Sequence, residues 1–122
     1  MKACWGSSAT EIATRDELRA IAAAIRASGQ PTMLFLEADN GKTLVVGLGH
    51  EESVLTFVEP DGRSFHSRGD VEREGFLSFL CRDQVDDFMA EMAVPVADAG
   101  VAAEAFVETA ERPPGVTWEA DW

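Results

Sequence analysis

Residues 32–49 constrain this chain most. Two apolar runs, TMLFLEA (32–38) and TLVVGLG (43–49), flank the tetrapeptide Asp39-Asn40-Gly41-Lys42. An Asn-Gly pair tolerates the positive φ angles of a tight reversal, so the stretch predicts a β-hairpin. SVLTFVE (53–59), the turn Pro60-Asp61-Gly62 and RSFHSRG (63–69) repeat the strand, turn and strand arrangement. GFLSFLC (75–81) is a further strand, and FMAEMAV (88–94) suits either a short strand or a helix.

Helical signals bracket these strands. Thr14 followed by Glu17 forms a capping box, and Leu18, Ile21, Ala22 and Ile25 recur at helical spacing until Gly29 and Pro31, which predicts a helix over 15–28. Ala99, Ala103, Phe106, Val107 and Ala110 share one face of a second helix, near 97–110, which Pro113-Pro114 prevents from continuing. Gly115 to Trp118 reads as a terminal edge strand whose ring covers apolar surface. The order predicts an α+β domain with a mostly antiparallel sheet of about five or six strands and two main helices. Leu18, Ile21, Ile25, Leu34, Leu36, Val45, Leu55, Phe57, Phe79, Phe106 and Trp118 are its expected core.

A length of 122 residues fits one domain, 1–122, able to bury a core without staples. Residues 1–13 are expected to be a loosely attached segment. No apolar run has the length of a signal peptide or a membrane span, which points to a cytoplasmic protein. Cys4 and Cys81 are too few and too far apart for a disulfide framework or a zinc knuckle. They read as reduced thiols, Cys81 a small buried hydrophobe and Cys4 an untethered terminal residue.

Charge is unevenly spread. The formal net charge is −12, which repels nucleic acid and anionic membranes and favours basic partners. Residues 83–122 carry 10 acids against Arg112 alone, and so hold −9 of that total.

Signals of catalysis are weak. His50 stands beside Glu51 and Glu52, and His66 lies in the HSRGD stretch, but neither has metal-ligand spacing. Ser64, Ser67 and Asp70 read as turn formers rather than a hydrolase set, and no dinucleotide, Walker or nucleophile-elbow motif is complete. No nucleophile, base and oxyanion donors converge, so the reading is a non-enzyme without cofactor or metal. The competing reading is a small-ligand-binding or enzymatic α+β domain that uses His66 and nearby acids.

The acids themselves stand out. Asp83, Asp86, Asp87 and Glu91 fall in DQVDDFMAE, interleaved with Val85, Phe88 and Met89 and without a basic residue. A solvated connection would explain the acids; an interaction surface would explain both the acids and their apolar neighbours. Asp70, Glu72 and Glu74 form a second acidic stretch, diluted by Arg73, and Glu51-Glu52 a third.

DGRSFHSRGD (61–70), Val94-Pro95, a helix ending near Phe106 and RPPGVTW (112–118) together resemble the first-numbered immunity-protein family of bacterial polymorphic toxin systems. The likeness runs from about residue 14 to 118. It implies a protein that neutralises a cognate toxin in a 1:1 complex. The implied toxin class is the nucleic-acid deaminases, including those acting on cytosine in double-stranded DNA. The family pattern assigns no binding residues. The toxin-facing set is therefore taken from charge: Asp83, Asp86, Asp87, Phe88 and Glu91, with Asp70, Glu72, Glu74, Glu51 and Glu52.

Overall fold

The computed structural model describes residues 1–122. The chain order begins β1 (Lys2–Trp5), β2 (Ser8–Glu11), α1 (Arg15–Ser28), β3 (Thr32–Glu37) and β4 (Thr43–Leu48). It continues with β5 (Glu52–Ser53), β6 (Leu55–Val58), β7 (Ser64–Ser67), β8 (Phe76–Cys81) and β9 (Gln84–Met89). A 3-10 turn (Ala90–Met92), β10 (Val94–Pro95), α2 (Val96–Thr109) and β11 (Trp118–Ala120) complete it. The class is α+β with two helices and a mostly antiparallel sheet, as expected, but the main sheet has nine strands rather than five or six. Its path is β11-β7-β6-β4-β3-β1-β2, and β8 branches from β3 carrying β9.

The additional strands have identifiable causes. Residues 1–13 are not loosely attached: β1 pairs with β3 through Lys2↔Glu37, Ala3↔Leu36 and Cys4↔Phe35, and β2 pairs with β1. Ala3 and Cys4 are buried, so Cys4 is a packed strand residue and not an untethered one. β1 covers only the C-terminal half of β3. The vacant edge beyond it takes β8, in a single parallel register contact, Thr32↔Leu80. β9 forms over 84–89, where the acidic run pointed to no strand, because it pairs along its whole length with β8. The FMAEMAV segment is therefore split between the end of β9, the 3-10 turn and β10.

The 32–49 hairpin forms, with Glu37↔Thr43 closing a longer turn than the tight reversal predicted. Gly41 takes the positive φ, 86°, while Asn40 works through its side chain. The Asn40 Nδ2 donates to the Ala110 carbonyl at 2.9 Å, fastening the turn to the end of α2. α1 begins on the predicted capping box, with Glu17 N–H donating to Thr14 Oγ1 at 3.2 Å and Thr14 N–H to Glu17 Oε1 at 3.2 Å. It ends at Gly29, whose φ of 72° suits a residue without Cβ.

Alternation along the strands gives the sheet two working faces. Leu34, Leu36, Leu44, Val46, Leu55 and Phe57 point toward the helices. There they meet Leu18, Ile21 and Ile25 of α1 and Ala99, Ala102, Ala103 and Phe106 of α2. Small residues on α2 let the two helices approach, and Arg15–Glu108 and Arg19–Glu104 bridge their exposed sides. Val45 departs from the expected core. It is half-buried on the opposite face, where Met33, Val54 and Phe79 form a second small core with Phe35, Leu77 and Phe88 packed around it.

The proline-rich tail folds back onto the molecule. Pro113 is fully buried, and its carbonyl accepts a hydrogen bond from Trp118 Nε1 at 2.9 Å. β11 then pairs with β7 as an edge strand, three residues later in the chain than the sequence suggested.

Candidate functional site

The β8–β9 hairpin carries most of the acids singled out by the sequence. Its two-residue turn is Arg82-Asp83, with Arg82 at φ 61°, and the register runs from Cys81↔Gln84 to Phe76↔Met89. Residues opposite one another share a face. Leu77, Phe79, Cys81, Gln84, Asp86 and Phe88 therefore face the sheet, while Phe76, Ser78, Leu80, Val85, Asp87 and Met89 face away. Phe79 is fully buried, with the Phe88 ring centroid 6.0 Å away and edge-on. Gly47 of β4 lies directly beneath it; a Cβ there would sit 2.7 Å from the Phe79 ring, so only glycine admits the hairpin this close.

The outward face is apolar where it would be expected to be wet. Phe76 is 68% exposed, Val85 57% and Met89 49%. Phe76 and Met89, opposite one another, form one exposed apolar patch, and Val85 is exposed nearer the turn on the same face. Asp87 lies among them and accepts a hydrogen bond from Ser78 Oγ.

Strand alternation separates acids that adjoin in sequence. Asp87 points outward, but Asp86 points inward, accepting from Gln84 Nε2 at 2.9 Å. Burial, and secondarily a hydrogen bond with Asp86, pushes the Cys81 thiol up to about 11. That thiol stays protonated, and it is half-buried rather than a fully buried hydrophobe. Phe88 belongs to the second core, Asp83 is exposed in the turn, and Glu91 lies half-buried in the 3-10 turn.

The loop between β7 and β8 adjoins the hairpin base. Gly69 N–H donates to the Glu91 carbonyl at 2.7 Å, and Ala90 N–H to the Gly75 carbonyl at 2.9 Å. Asp70, Glu72 and Glu74 are exposed on this loop, and Glu72 N–H donates to Asp70 Oδ1 at 3.0 Å. Arg73 turns away to pair with Glu52, and its hydrogen bond holds that carboxyl below the usual range. Glu52 is thus committed inside the molecule. Glu51 is exposed beside the start of α2, where its carbonyl accepts from Val96 N–H at 3.0 Å.

Ion pairing sharpens the contrast. Lys2, Arg15, Arg19, Lys42, Arg63, Arg68 and Arg73 all pair with carboxylates. Arg82 lies over the Phe35 ring, 4.5 Å from its centroid, and Arg112 over Phe65 at 4.1 Å. Asp70, Glu72, Glu74, Asp83, Asp86, Asp87 and Glu91 make no ion pair within 4.0 Å. The uncompensated charge therefore concentrates on the hairpin and the loop at its base.

His66 lies apart, near the chain end. Its Nδ1 meets Asp121, its Nε2 is 3.8 Å from Glu119, and Ser64 Oγ also donates to Asp121. Both ring nitrogens face carboxylates and the serine bonds to the acid, so serine and histidine are not paired as nucleophile and base. Ser67 is no turn former: it is buried in β7, accepting from Leu55 N–H at 3.0 Å and donating to the Met92 carbonyl at 2.7 Å. His50 Nε2 lies 2.9 Å from the Ser78 carbonyl, linking β8 to the 49–51 turn. No three His, Cys, Asp or Glu side chains gather as metal ligands, and no helix is long and apolar enough to cross a membrane.

The family model for Immunity protein Imm1 matches residues 6–120. The match takes in both helices, every strand from β2 to β11 and the terminal RPPGVTW segment, and begins earlier than the likeness read from the motifs. A comparison with curated proteins finds no match.

Proposed function

The chain belongs to the Imm1 immunity-protein family, and from that premise we propose that it neutralises a nucleic-acid deaminase toxin by forming a 1:1 complex that closes the toxin's substrate groove. One observation carries this reading: exposed apolar side chains and carboxylates without ion pairs lie together on one hairpin and the loop at its base. A protein that handles nucleic acid needs a positive groove for the phosphate backbone. An acidic surface is attracted to such a groove, and apolar side chains at its centre supply the desolvated contact that holds the complex. The chain needs no catalytic step in this scheme, since occupation alone excludes substrate.

Titrating a deaminase toxin domain whose toxicity this chain suppresses in cells tests the proposal. Deamination should fall linearly and end at one molar equivalent. Progressive inactivation by a small fraction of an equivalent would mean catalysis and overturn stoichiometric neutralisation. A tight 1:1 complex with a toxin of different chemistry would retain the neutralisation and reject the deaminase assignment.

A further inference from the structure

The sheet has three free edges, β2, β9 and β11. β2 is four residues long, fully exposed and nearly all polar, and β11 has only three residues. β9 differs from both: six residues, two of them exposed apolar side chains, no lysine or proline, and only acidic charges, Asp86 and Asp87, to guard its edge.

Which backbone groups lie on that edge follows from the register. Ala90 N–H bonds back to Gly75, so even-numbered residues of β9 face β8, and Leu80 N–H, pointing the other way, bonds to the Pro31 carbonyl at 2.8 Å. The odd-numbered residues Val85, Asp87 and Met89 therefore turn their N–H and C=O groups outward. Beyond them the Glu91 carbonyl is taken by Gly69, so the open ladder spans those three residues.

We propose that the toxin docks by adding one of its own strands to the β9 edge, and that this strand carries lysine or arginine. This rests on the toxin-binding reading above and specifies its mode. Charge selects the occupant. A second copy of β9 would set Asp83, Asp87 and Glu91 against acids of its own kind, which blocks self-pairing, while a basic strand meets opposite charge at each position. Beside the edge, a groove of about 200 Å3 runs between Met89 and Glu91 on one side and His66, Arg68 and Glu119 on the other. Arg68 is paired with Glu119, whereas Glu91 has no cation, so the groove seats one basic side chain of the added strand. Main-chain bonds then contribute affinity, and the alternating side chains contribute specificity.

Amide hydrogen exchange in the free protein and in its complex with a deaminase toxin domain whose toxicity the chain suppresses in cells tests this. In the free chain, Val85, Asp87 and Met89 amides should exchange fast; in the complex they should slow by about 100-fold or more. Asp87→Pro, which deletes an outward donor without touching the β8 ladder, should bind at least about tenfold more weakly than Asp87→Ala. A 1:1 complex whose three amides exchange as in the free protein would overturn strand addition and leave neutralisation standing. Failure of the wild-type chain to bind that domain at all would overturn both. Because the exchange arm uses wild-type protein, misfolding of the proline variant does not remove the test.

Discussion

Trp118 joins three parts of the chain through one side chain. Its indole packs against the main core, 6.3 Å from the Phe57 ring centroid, and its Nε1–H donates to the carbonyl of buried Pro113. The proline pair that stops α2 thus also presents the acceptor that orients the indole. Trp118→Ala should lower unfolding stability by about 3 kcal/mol, and Trp118→Phe, which keeps most of the area and loses the donor, by about 1 kcal/mol. Denaturant melts measure both. An unchanged melt for the alanine variant would remove the structural role and return the tail to consideration as a binding surface. That this tryptophan was structural could be read from the sequence, because a large ring after a helix stop has few other uses. Its acceptor could not, since a carbonyl five residues upstream carries no sequence signature. Cys4 shows the same limit, for its burial depends on β3 lying alongside.

At the scale of elements, what was legible follows where local chemistry decides. The α1 capping box and its i, i+3, i+4 apolar spacing are local, and the helix appears at Arg15–Ser28 as read. β1, β2 and β9 have weak local signals: KACW is short, SATE is polar, and QVDDFM places two aspartates in succession. Their pairing comes from neighbours distant in sequence, and tertiary context overrides propensity there. The candidate site was legible as a run of acids but not as a surface, because only the strand assignment reveals that Asp86 and Asp87 point oppositely. β11 offers a test of how an element is fastened. Burial pushes the Asp121 carboxyl up, but hydrogen bonds from Ser64 and His66 outweigh it and hold the group below its ordinary range. A lowered folded value contributes stability above the unfolded pKa, near 3.9, that is lost as pH falls through the folded value. Asp121→Asn should therefore melt below wild type at pH 7, with the difference closing as the solution is acidified past the carboxyl's lowered folded value. A gap that persists in acid would mean that shape, not charge, holds β11.

Over the whole molecule, a net charge of −12 has two physical consequences, and the ion-pair pattern separates them. Self-repulsion acts through the total, while attraction of a basic partner acts through the local field where carboxylates lack cations. Seven of the twelve carboxylates without an ion pair lie on the hairpin and the loop at its base, so that field is strongest there. The sharpest perturbation reverses only acids that project from it: Asp83→Lys with Asp87→Lys, leaving inward Asp86 and its Gln84 contact intact. Circular dichroism should report an unchanged fold. Association with the toxin domain should slow markedly at low salt and approach the wild-type rate as salt shortens the Debye length from about 8 Å near physiological strength to about 3 Å at 1 M. Phe76→Ala should behave oppositely, raising the dissociation rate at every salt concentration, because it removes contact area rather than steering. If the double reversal associates as fast as wild type at both salts, the toxin approaches another face. Glu51, exposed beside the start of α2, is then the next acid to reverse.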